Sequence, residues 1–239
     1  MPKQHRVLAP RLPSQNCQMS SIVAPDPKPE ASVRSVRARS VGECAIKRII
    51  DVLGASIALL VFSPILLATS LLIKLADGGP IIYRRRVIGQ KGEFDAFKLR
   101  TMRVDADRVL EDNPELLAEY KRNYKLRNDP RITRVGAILR KYSLDELPQL
   151  FNVLFGHMSL VGPRMVTGAE LQKYGDCGHS LRTVKPGLTG YWQVNGRQQT
   201  SYAERVAMDT YYIENWSLFF DLQILLQTPI EVLKGEGAY

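Results

Sequence analysis

The sequence predicts a mainly helical α+β fold, and three observations predict it. Residues 52–73 form a run of 22 residues without a charge, which predicts one long apolar helix. Two short β-prone runs, residues 81–88 and 93–99, are joined by Gly-Gln-Lys-Gly and predict a β-hairpin. Charged and amphipathic stretches from residue 103 onward predict further helices. A chain of 239 residues suits one globular domain with an appendage.

The first 43 residues form a basic arm. They are rich in Pro, Ser, Ala and Arg and have no apolar periodicity, so we predict that residues 1–43 are disordered. Residues 1–40 hold seven of the 33 Lys and Arg residues against two acids, so the arm supplies much of the formal net charge of +9. Such a charge favours anionic partners, which include nucleic acid, anionic lipid and phosphorylated substrates.

The uncharged run is long enough to meet lipid. As a straight helix it would reach about 33 Å at ~1.5 Å per residue, which is enough to cross a hydrocarbon core. A buried core helix is the alternative, and a run of 22 residues argues against it.

Ser63 and Pro64 lie near the middle of this run and predict a break in the helix. The proline ring removes one backbone donor and kinks the helix, and the Ser63 hydroxyl is well placed to satisfy a backbone group that is freed. Basic residues flank both ends, whereas a spanning helix normally has an asymmetric flank with the basic side cytoplasmic. We therefore predict that residues 44–76 form a re-entrant membrane helix, with an ordinary kinked span as the alternative.

Residues 77–239 are predicted to form a globular domain. After the hairpin, the pattern predicts a charged helix over 103–127 interrupted by Pro114, a loop, and a short amphipathic helix over 135–141. A further helix is predicted to begin at Ser143, turn formers dominate residues 158–200, and the chain ends with helices over 201–214 and 218–234. The last helix is apolar but too short and polar to span, which indicates packing or an interfacial position.

Asp145 and Glu146 are the candidate catalytic residues. Ser143 followed three residues later by Glu146 matches a capping box, which gives both acids a purely structural explanation. The functional interpretation places an ionised Asp145 where it can attack a phosphorus atom, with Glu146 helping to hold a divalent cation. The two interpretations are compatible at one helix start.

A carboxylate can approach a diphosphate only if the negative charge is offset. Arginine suits this work through its planar, multi-donor geometry, although most Lys and Arg side chains are simply solvated. Glycines beside several of these cations either let the backbone approach a ligand or shape turns. The candidate phosphate-binding residues are Lys98, Arg100, Arg140, Arg164, Lys185 and Arg197.

Several motifs occur together and in order, and in combination they resemble one family. They are KRIIDVLGASIALLVFSP, FKLRTM, LRKYSLDELPQLFNVLFGHMSLVGPR, KPGLTGYWQVNGR and DTYYIENWSLFFDLQILLQT. The chain resembles the bacterial sugar transferase family, the monotopic phosphoglycosyl transferases, over roughly residues 45–238. Within that family it looks most like the members that initiate exopolysaccharide synthesis with galactose or glucose phosphate.

The resemblance implies roles for specific residues. It implies a re-entrant helix broken at Ser63-Pro64, a nucleophilic Asp145, and a Glu146 beside Mg²⁺. It also implies phosphate contacts from three basic residues, which are Lys98, Arg140 and Arg164. Two residues depart from the family pattern: His157 stands where the family usually has an acid, and Met165 stands where it favours proline.

The resemblance also implies the reaction and its location. The expected enzyme transfers a sugar phosphate from a UDP-sugar to undecaprenyl phosphate through a covalent aspartate intermediate and releases UMP. We expect it in the inner membrane with its catalytic domain on the cytoplasmic face, among membrane lipids and without nucleic acid. The sequence leaves open whether the protein forms a homo-oligomer. The alternatives are a sugar transferase without a covalent step and a basic membrane adaptor.

Overall fold

The computed structural model of the chain describes residues 39–123, 126, 129–196 and 200–234. The predicted basic arm therefore lies outside the described residues as far as residue 38. The described parts consist of helices with two small two-stranded sheets, which confirms the mainly helical α+β fold.

The first helix, α1 (Val41–Asp77), begins three residues before the predicted segment because of a capping box that the sequence analysis missed. The Ser40 backbone N–H donates to the Glu43 carboxylate at 2.9 Å, and the Glu43 N–H donates to the Ser40 hydroxyl at 3.1 Å. The helix ends at Gly78, which is left-handed with a φ of 69°. Among the helices that the structure describes, α1 alone is long and apolar enough to cross a membrane.

Pro64 does not interrupt α1. The helix is continuous on both sides of Ser63 and Pro64, so the predicted break is not seen as a gap in the helix. Proline leaves the carbonyl four residues earlier without its usual donor, and here that carbonyl belongs to Leu60. The Ser63 hydroxyl donates to the Leu60 carbonyl at 2.8 Å, which confirms the expected compensation.

The predicted hairpin is confirmed. Strands β1 (Ile82–Gly89) and β2 (Gly92–Leu99) are antiparallel, with Ile82 opposite Leu99. The turn between the strands uses Gly92 at a φ of 113°, a value that favours glycine.

The segments after the hairpin that were predicted to be helical are helical in the structure. The region over 103–127 forms α2 (Ala106–Glu111) and α3 (Pro114–Asn123), and Pro114 begins the second because proline is tolerated in a first turn. The amphipathic helix over 135–141 is confirmed as α4 (Arg134–Lys141).

The rest of the domain is built from short elements and two longer C-terminal helices. The helices predicted over 201–214 and 218–234 are confirmed by the last two. In chain order these elements are α5 (Gln149–Leu154), β3 (Ser159–Val161), α6 (Gly168–Gln172), α7 (Gly178–Leu181), β4 (Gly187–Thr189), α8 (Tyr191–Asn195), α9 (Tyr202–Glu214) and α10 (Leu218–Lys234).

Strands β3 and β4 are parallel, and the glycines beside them serve backbone packing. A Cβ built on Gly187 would lie 2.1 Å from the Gly162 nitrogen, and one built on Gly162 would lie 2.6 Å from the Lys185 carbonyl oxygen. The sequence left open whether these glycines let the backbone approach a ligand or shape turns. The structure shows a close approach, but it is between two backbone segments.

The two ends of α1 are tied to the same domain. Near its start, Lys47 forms an ion pair with Asp221 of α10 at 2.6 Å. Near its end, Asp77 pairs with Arg100, which follows β2, and Ile73 packs in a cluster beneath β2 and α4. Between these anchors α1 buries few side chains and exposes a long apolar surface.

A second row of exposed apolar side chains lies on α10. Its members recur at helical spacing and are between 50% and 77% exposed, while the Ile224 side chain is buried. The exposed row consists of Phe219, Leu222, Leu226, Ile230 and Leu233.

Candidate active site

A 3₁₀-helix, Leu144–Glu146, carries the two acidic residues. The expected capping box is wrong, because the Ser143 side chain makes no capping hydrogen bond and α5 begins only at Gln149. The physical reason is that the Glu146 carboxylate is bound by two cations and does not turn back to the Ser143 amide. Ser143 instead adopts a φ of 55°, the only positive φ of a non-glycine residue in the described parts of the chain. This turn after α4 leads into the buried Asp145.

Glu146 is the paired member of the two acids. Its Oε1 atom accepts from Lys98 Nζ at 2.7 Å and from an Arg164 guanidinium nitrogen at 3.2 Å. Burial acts to raise the pKa of Glu146, but the two cations outweigh burial and hold that pKa below its usual value. Glu146 is therefore ionised at neutral pH, and its Oε2 atom accepts no hydrogen bond from the residues that the structure describes.

Asp145 is the less closely paired of the two acids. Its Oδ2 atom lies 3.8 Å from Lys98 Nζ, and no described residue donates a hydrogen bond to its carboxylate. Burial raises the pKa of Asp145 above its usual value, Lys98 opposes the rise, and the neighbouring charge of Glu146 adds to it. The two adjacent acids thus differ, because Glu146 accepts hydrogen bonds from two cations and Asp145 accepts none from a described residue.

Arg140 is a third cation near Asp145. Its Nε donates to the Thr101 hydroxyl at 2.9 Å, which fixes the guanidinium. Burial lowers the pKa of Arg140, and the negative charge of Asp145 opposes that shift. The structure therefore gathers Lys98, Arg140 and Arg164 around the acidic pair, and their predicted contacts with phosphate stay predictions.

The other three candidate cations are not gathered there. Arg100 binds Asp77 and the Pro80 carbonyl, so it anchors the end of α1. Lys185 has charged neighbours near the start of α1 and, in Lys91, one in the hairpin turn. Arg197 lies outside the described residues.

Trp192 is a neighbour of the site that the sequence analysis missed. The Arg164 guanidinium carbon lies 5.6 Å from the centroid of the Trp192 ring, a distance typical of a cation–π contact. Thr101, which holds Arg140, was also missed, although it lies within the quoted FKLRTM motif. The only signal for Trp192 in the sequence was an aromatic residue within a glycine-rich stretch.

The two departures from the family pattern lie in different surroundings. Met165 follows Arg164 directly, and its side chain is buried in the main hydrophobic core. His157 is exposed, and its ring stacks on that of Phe94 at 5.4 Å between centroids. Neither side chain contacts the acidic pair through a hydrogen bond or an ion pair.

The acidic pair offers a small set of metal ligands. Across the described ranges no group of three or more His, Cys, Asp or Glu side chains could hold a metal ion. The oxygens that accept no hydrogen bond from a described residue are those of Asp145 and Oε2 of Glu146. Mg²⁺ suits such a set because it commonly takes one or two carboxylates and completes its octahedron with substrate phosphates and water.

Comparisons with known proteins agree on one family. The exopolysaccharide production protein ExoY of Rhizobium meliloti is 50% identical over 206 residues, covering 84% of this chain and 91% of that protein. The undecaprenyl-phosphate galactose phosphotransferase of Salmonella typhimurium is 44% identical over 200 residues, covering 81% of this chain and 42% of that protein. The UDP-glucose:undecaprenyl-phosphate glucose-1-phosphate transferase of Escherichia coli is 39% identical over 204 residues, covering 81% and 41%.

The chain thus spans nearly all of the first relative and less than half of the other two. A family model described as bacterial sugar transferase matches residues 42–235, which include α1, the acidic pair and the three gathered cations. The chain belongs to the bacterial sugar transferase family.

Proposed function

We propose that this chain transfers a sugar 1-phosphate from a UDP-sugar to undecaprenyl phosphate, the first step of exopolysaccharide or glycoconjugate synthesis. The products are UMP and an undecaprenyl-diphosphate-sugar. The observation that carries the proposal is the asymmetry of the acidic pair: the Asp145 carboxylate accepts no hydrogen bond from a described residue, whereas Glu146 accepts one from each of two cations. The names of the Salmonella and Escherichia coli relatives support the acceptor and the reaction class.

The first half-reaction forms a bond between Asp145 and phosphorus. A carboxylate oxygen of Asp145 attacks the sugar-bearing phosphorus, and the phosphoanhydride bond breaks with its electron pair leaving on UMP. Lys98, Arg140 and Arg164 offset the charge that accumulates when an anion attacks an anion. Because burial raises the pKa of Asp145, its ionised oxygen is more basic, and hence a better nucleophile, than that of a solvated aspartate.

The second half-reaction restores the enzyme. An oxygen of undecaprenyl phosphate attacks the same phosphorus, the bond to Asp145 breaks, and the carboxylate is regenerated. A covalent intermediate divides one difficult transfer into two easier steps. The same cations serve both steps, because both place negative charge at the same phosphorus.

Mg²⁺ is the proposed cofactor. Asp145 and the free Oε2 of Glu146 are the residues that would hold it, together with phosphate oxygens of the donor. When bound, the ion would neutralise charge on the diphosphate. Lys98 and Arg164 bind the other oxygen, Oε1, and would thereby keep the Glu146 carboxylate oriented.

The anchoring of α1 supports a position on one side of the membrane. The two ends of a helix that spans a bilayer lie on opposite sides of the membrane. Lys47 and Asp77, near the two ends of α1, instead both bind the same domain. We propose that α1 enters and leaves by the cytoplasmic face of the inner membrane, bending near Pro64. The exposed apolar row of α10 would then lie in the interface.

The sugar is proposed from the relatives. Galactose and glucose are named for the Salmonella and Escherichia coli proteins, and we propose one of these two for this chain. No side chain in the described site distinguishes between them.

Incubating the protein with the donor alone, without acceptor, tests the covalent step. Purified protein with Mg²⁺ and either UDP-galactose or UDP-glucose should release about one UMP per enzyme without acceptor, and turnover should begin when undecaprenyl phosphate is added. Asp145→Asn should lose both signals, whereas Glu115→Gln, which changes an exposed acid in the first turn of α3, should keep them.

Two outcomes would contradict the proposal. Turnover with acceptor but no release from donor alone would favour the non-covalent transferase. Failure to release UMP from either sugar with acceptor present would favour the membrane adaptor.

A further inference from the structure

A second basic cluster lies where α1 passes the C-terminal end of α5. Arg48 on α1 donates to the carbonyls of Val153 and Leu154 at 2.6 and 2.7 Å, so it caps that helix. A Cβ built on Gly156 would lie 3.7 Å from an Arg48 guanidinium nitrogen and 3.8 Å from Lys185 Nζ. Two cations therefore converge on one point beside Gly156.

Lys185 forms no ion pair within the described ranges. Its side chain is half-buried and makes no hydrogen bond or ion pair with any residue that the structure describes. Burial lowers the pKa of Lys185, and the positive charge of Arg48 lowers it further, with smaller contributions from Lys91 and Lys47. Asp51 opposes these effects, but its Oδ1 already accepts two hydrogen bonds from β3.

The hairpin turn brings a third cation to this region. The Gln90 side chain donates to the Thr183 carbonyl at 2.8 Å, which holds the turn against the loop before Lys185. Lys91, the next residue of the turn, is exposed and forms no ion pair within the described ranges. We define Arg48, Lys91 and Lys185 as the α5-end cluster.

Exposed apolar side chains border the α5-end cluster. Phe155, next to Gly156, is 62% exposed, and Ile49 and Leu53 on α1 are each 58% exposed. His157, on the other side of Gly156, adds no negative charge, although the family usually has an acid there. The cluster thus combines cations that form no ion pair with a described residue and an apolar border, as expected of a protein surface at the headgroup level.

We propose that the α5-end cluster binds the phosphate of an anionic membrane lipid, at a site distinct from the acidic pair. Converging Lys and Arg donors suit a phosphate group. The bordering Phe155, Ile49 and Leu53 favour a lipid over free phosphate, because they can pack against an acyl chain. The proposal depends on the proposed position of α1 in the membrane, but it does not depend on the reaction.

Thermal unfolding in an uncharged detergent tests the site without any UDP-sugar. The full chain is compared with short-chain phosphatidylglycerol, with phosphatidylcholine of the same chains, or with inorganic phosphate. Phosphatidylglycerol should raise the Tm, because it binds only the folded protein, and the other two should have little effect. Lys185→Gln should lose at least half of this rise, whereas Lys121→Gln, an exposed lysine on α3, should keep it.

Folding should not obscure the result. Lys185 makes no hydrogen bond with a described residue, so Lys185→Gln should match wild type in phosphatidylcholine. His157→Asp is a second variant, which adds a carboxylate beside Gly156 and should also reduce the rise in Tm.

Three outcomes would overturn the site: equal rises with both lipids, a full rise in both variants, or a rise that inorganic phosphate reproduces at the same concentration. None of these outcomes would bear on the proposed reaction, because UMP release tests that reaction separately.

Discussion

Replacing Arg164 tests whether the cations of the acidic pair act on the reacting phosphate. Arg164→Ala removes the 3.2 Å contact with Glu146 and one positive charge beside Asp145. Arg164→Lys keeps a charge but loses the planar fork that can bind Glu146 and a phosphate together. We expect both variants to fold, because the Arg164 side chain contributes little to the hydrophobic core.

The magnitude follows from the contact. A hydrogen bond to a charged group contributes roughly 1.5–3 kcal/mol, which corresponds to about a 10- to 150-fold loss in rate if it acts in the transition state. Arg164 lowers the pKa of both acids, although burial makes the net shift of Asp145 upward. Its removal should raise both pKa values, so the acidic limb of the pH–rate profile, where Asp145 gains a proton, should move to higher pH.

UMP release measured across pH provides the assay. Arg164→Ala should lie in the range of about 10- to 150-fold below wild type at neutral pH, with Arg164→Lys between the two. Arg103→Lys is the matched control, because Arg103 forms an exposed pair with Asp105 at 2.8 Å. Wild-type rates and an unmoved acidic limb in both Arg164 variants would refute the reasoning.

Three further predictions concern the fold. Ser143→Gly should raise the free energy of unfolding in urea by about 1 kcal/mol, because glycine adopts a positive φ without cost, and a loss would indicate a capping role after all. Single cysteines replacing Val41 and Ala76, in a cysteine-free background, should both resist an impermeant thiol reagent in intact cells and react once the membrane is opened; labelling of residue 41 alone would show that α1 spans. Asp221→Asn should lower stability by about 3 kcal/mol, because it leaves Lys47 half-buried without its counter-charge; an unchanged Tm would contradict the role of this pair as an anchor.

The sequence predicted the elements with strong periodicity well. The hairpin, α4, α9 and α10 follow directly from apolar spacing and from turn residues, which are local signals. The short elements between residues 158 and 200 could not be predicted, because β3 and β4 exist only through their pairing with each other. Sequence separation also hid the close approach of Gly162 to Gly187.

The candidate site was predicted in part. Sequence placed the acids correctly in a helical turn, but the capping role that it also offered for Glu146 is wrong, because a local pattern cannot reveal that Lys98 and Arg164 arrive from distant segments. The same limit explains Arg100 and Lys185, whose partners or neighbours lie on α1. Basic residues look alike in a sequence, and only the fold decides which of them share a site.

In the membrane position proposed for α1, the anchors at both of its ends would also determine how this protein responds to bilayer thickness. A single spanning helix adapts to a thicker or thinner membrane by tilting on its own. With Lys47 bound to Asp221 and Asp77 bound to Arg100, α1 cannot tilt without moving the domain. In that proposed position, the depth of Asp145 relative to the apolar surface of α1 would be fixed by the protein, and the surrounding lipid would absorb any mismatch.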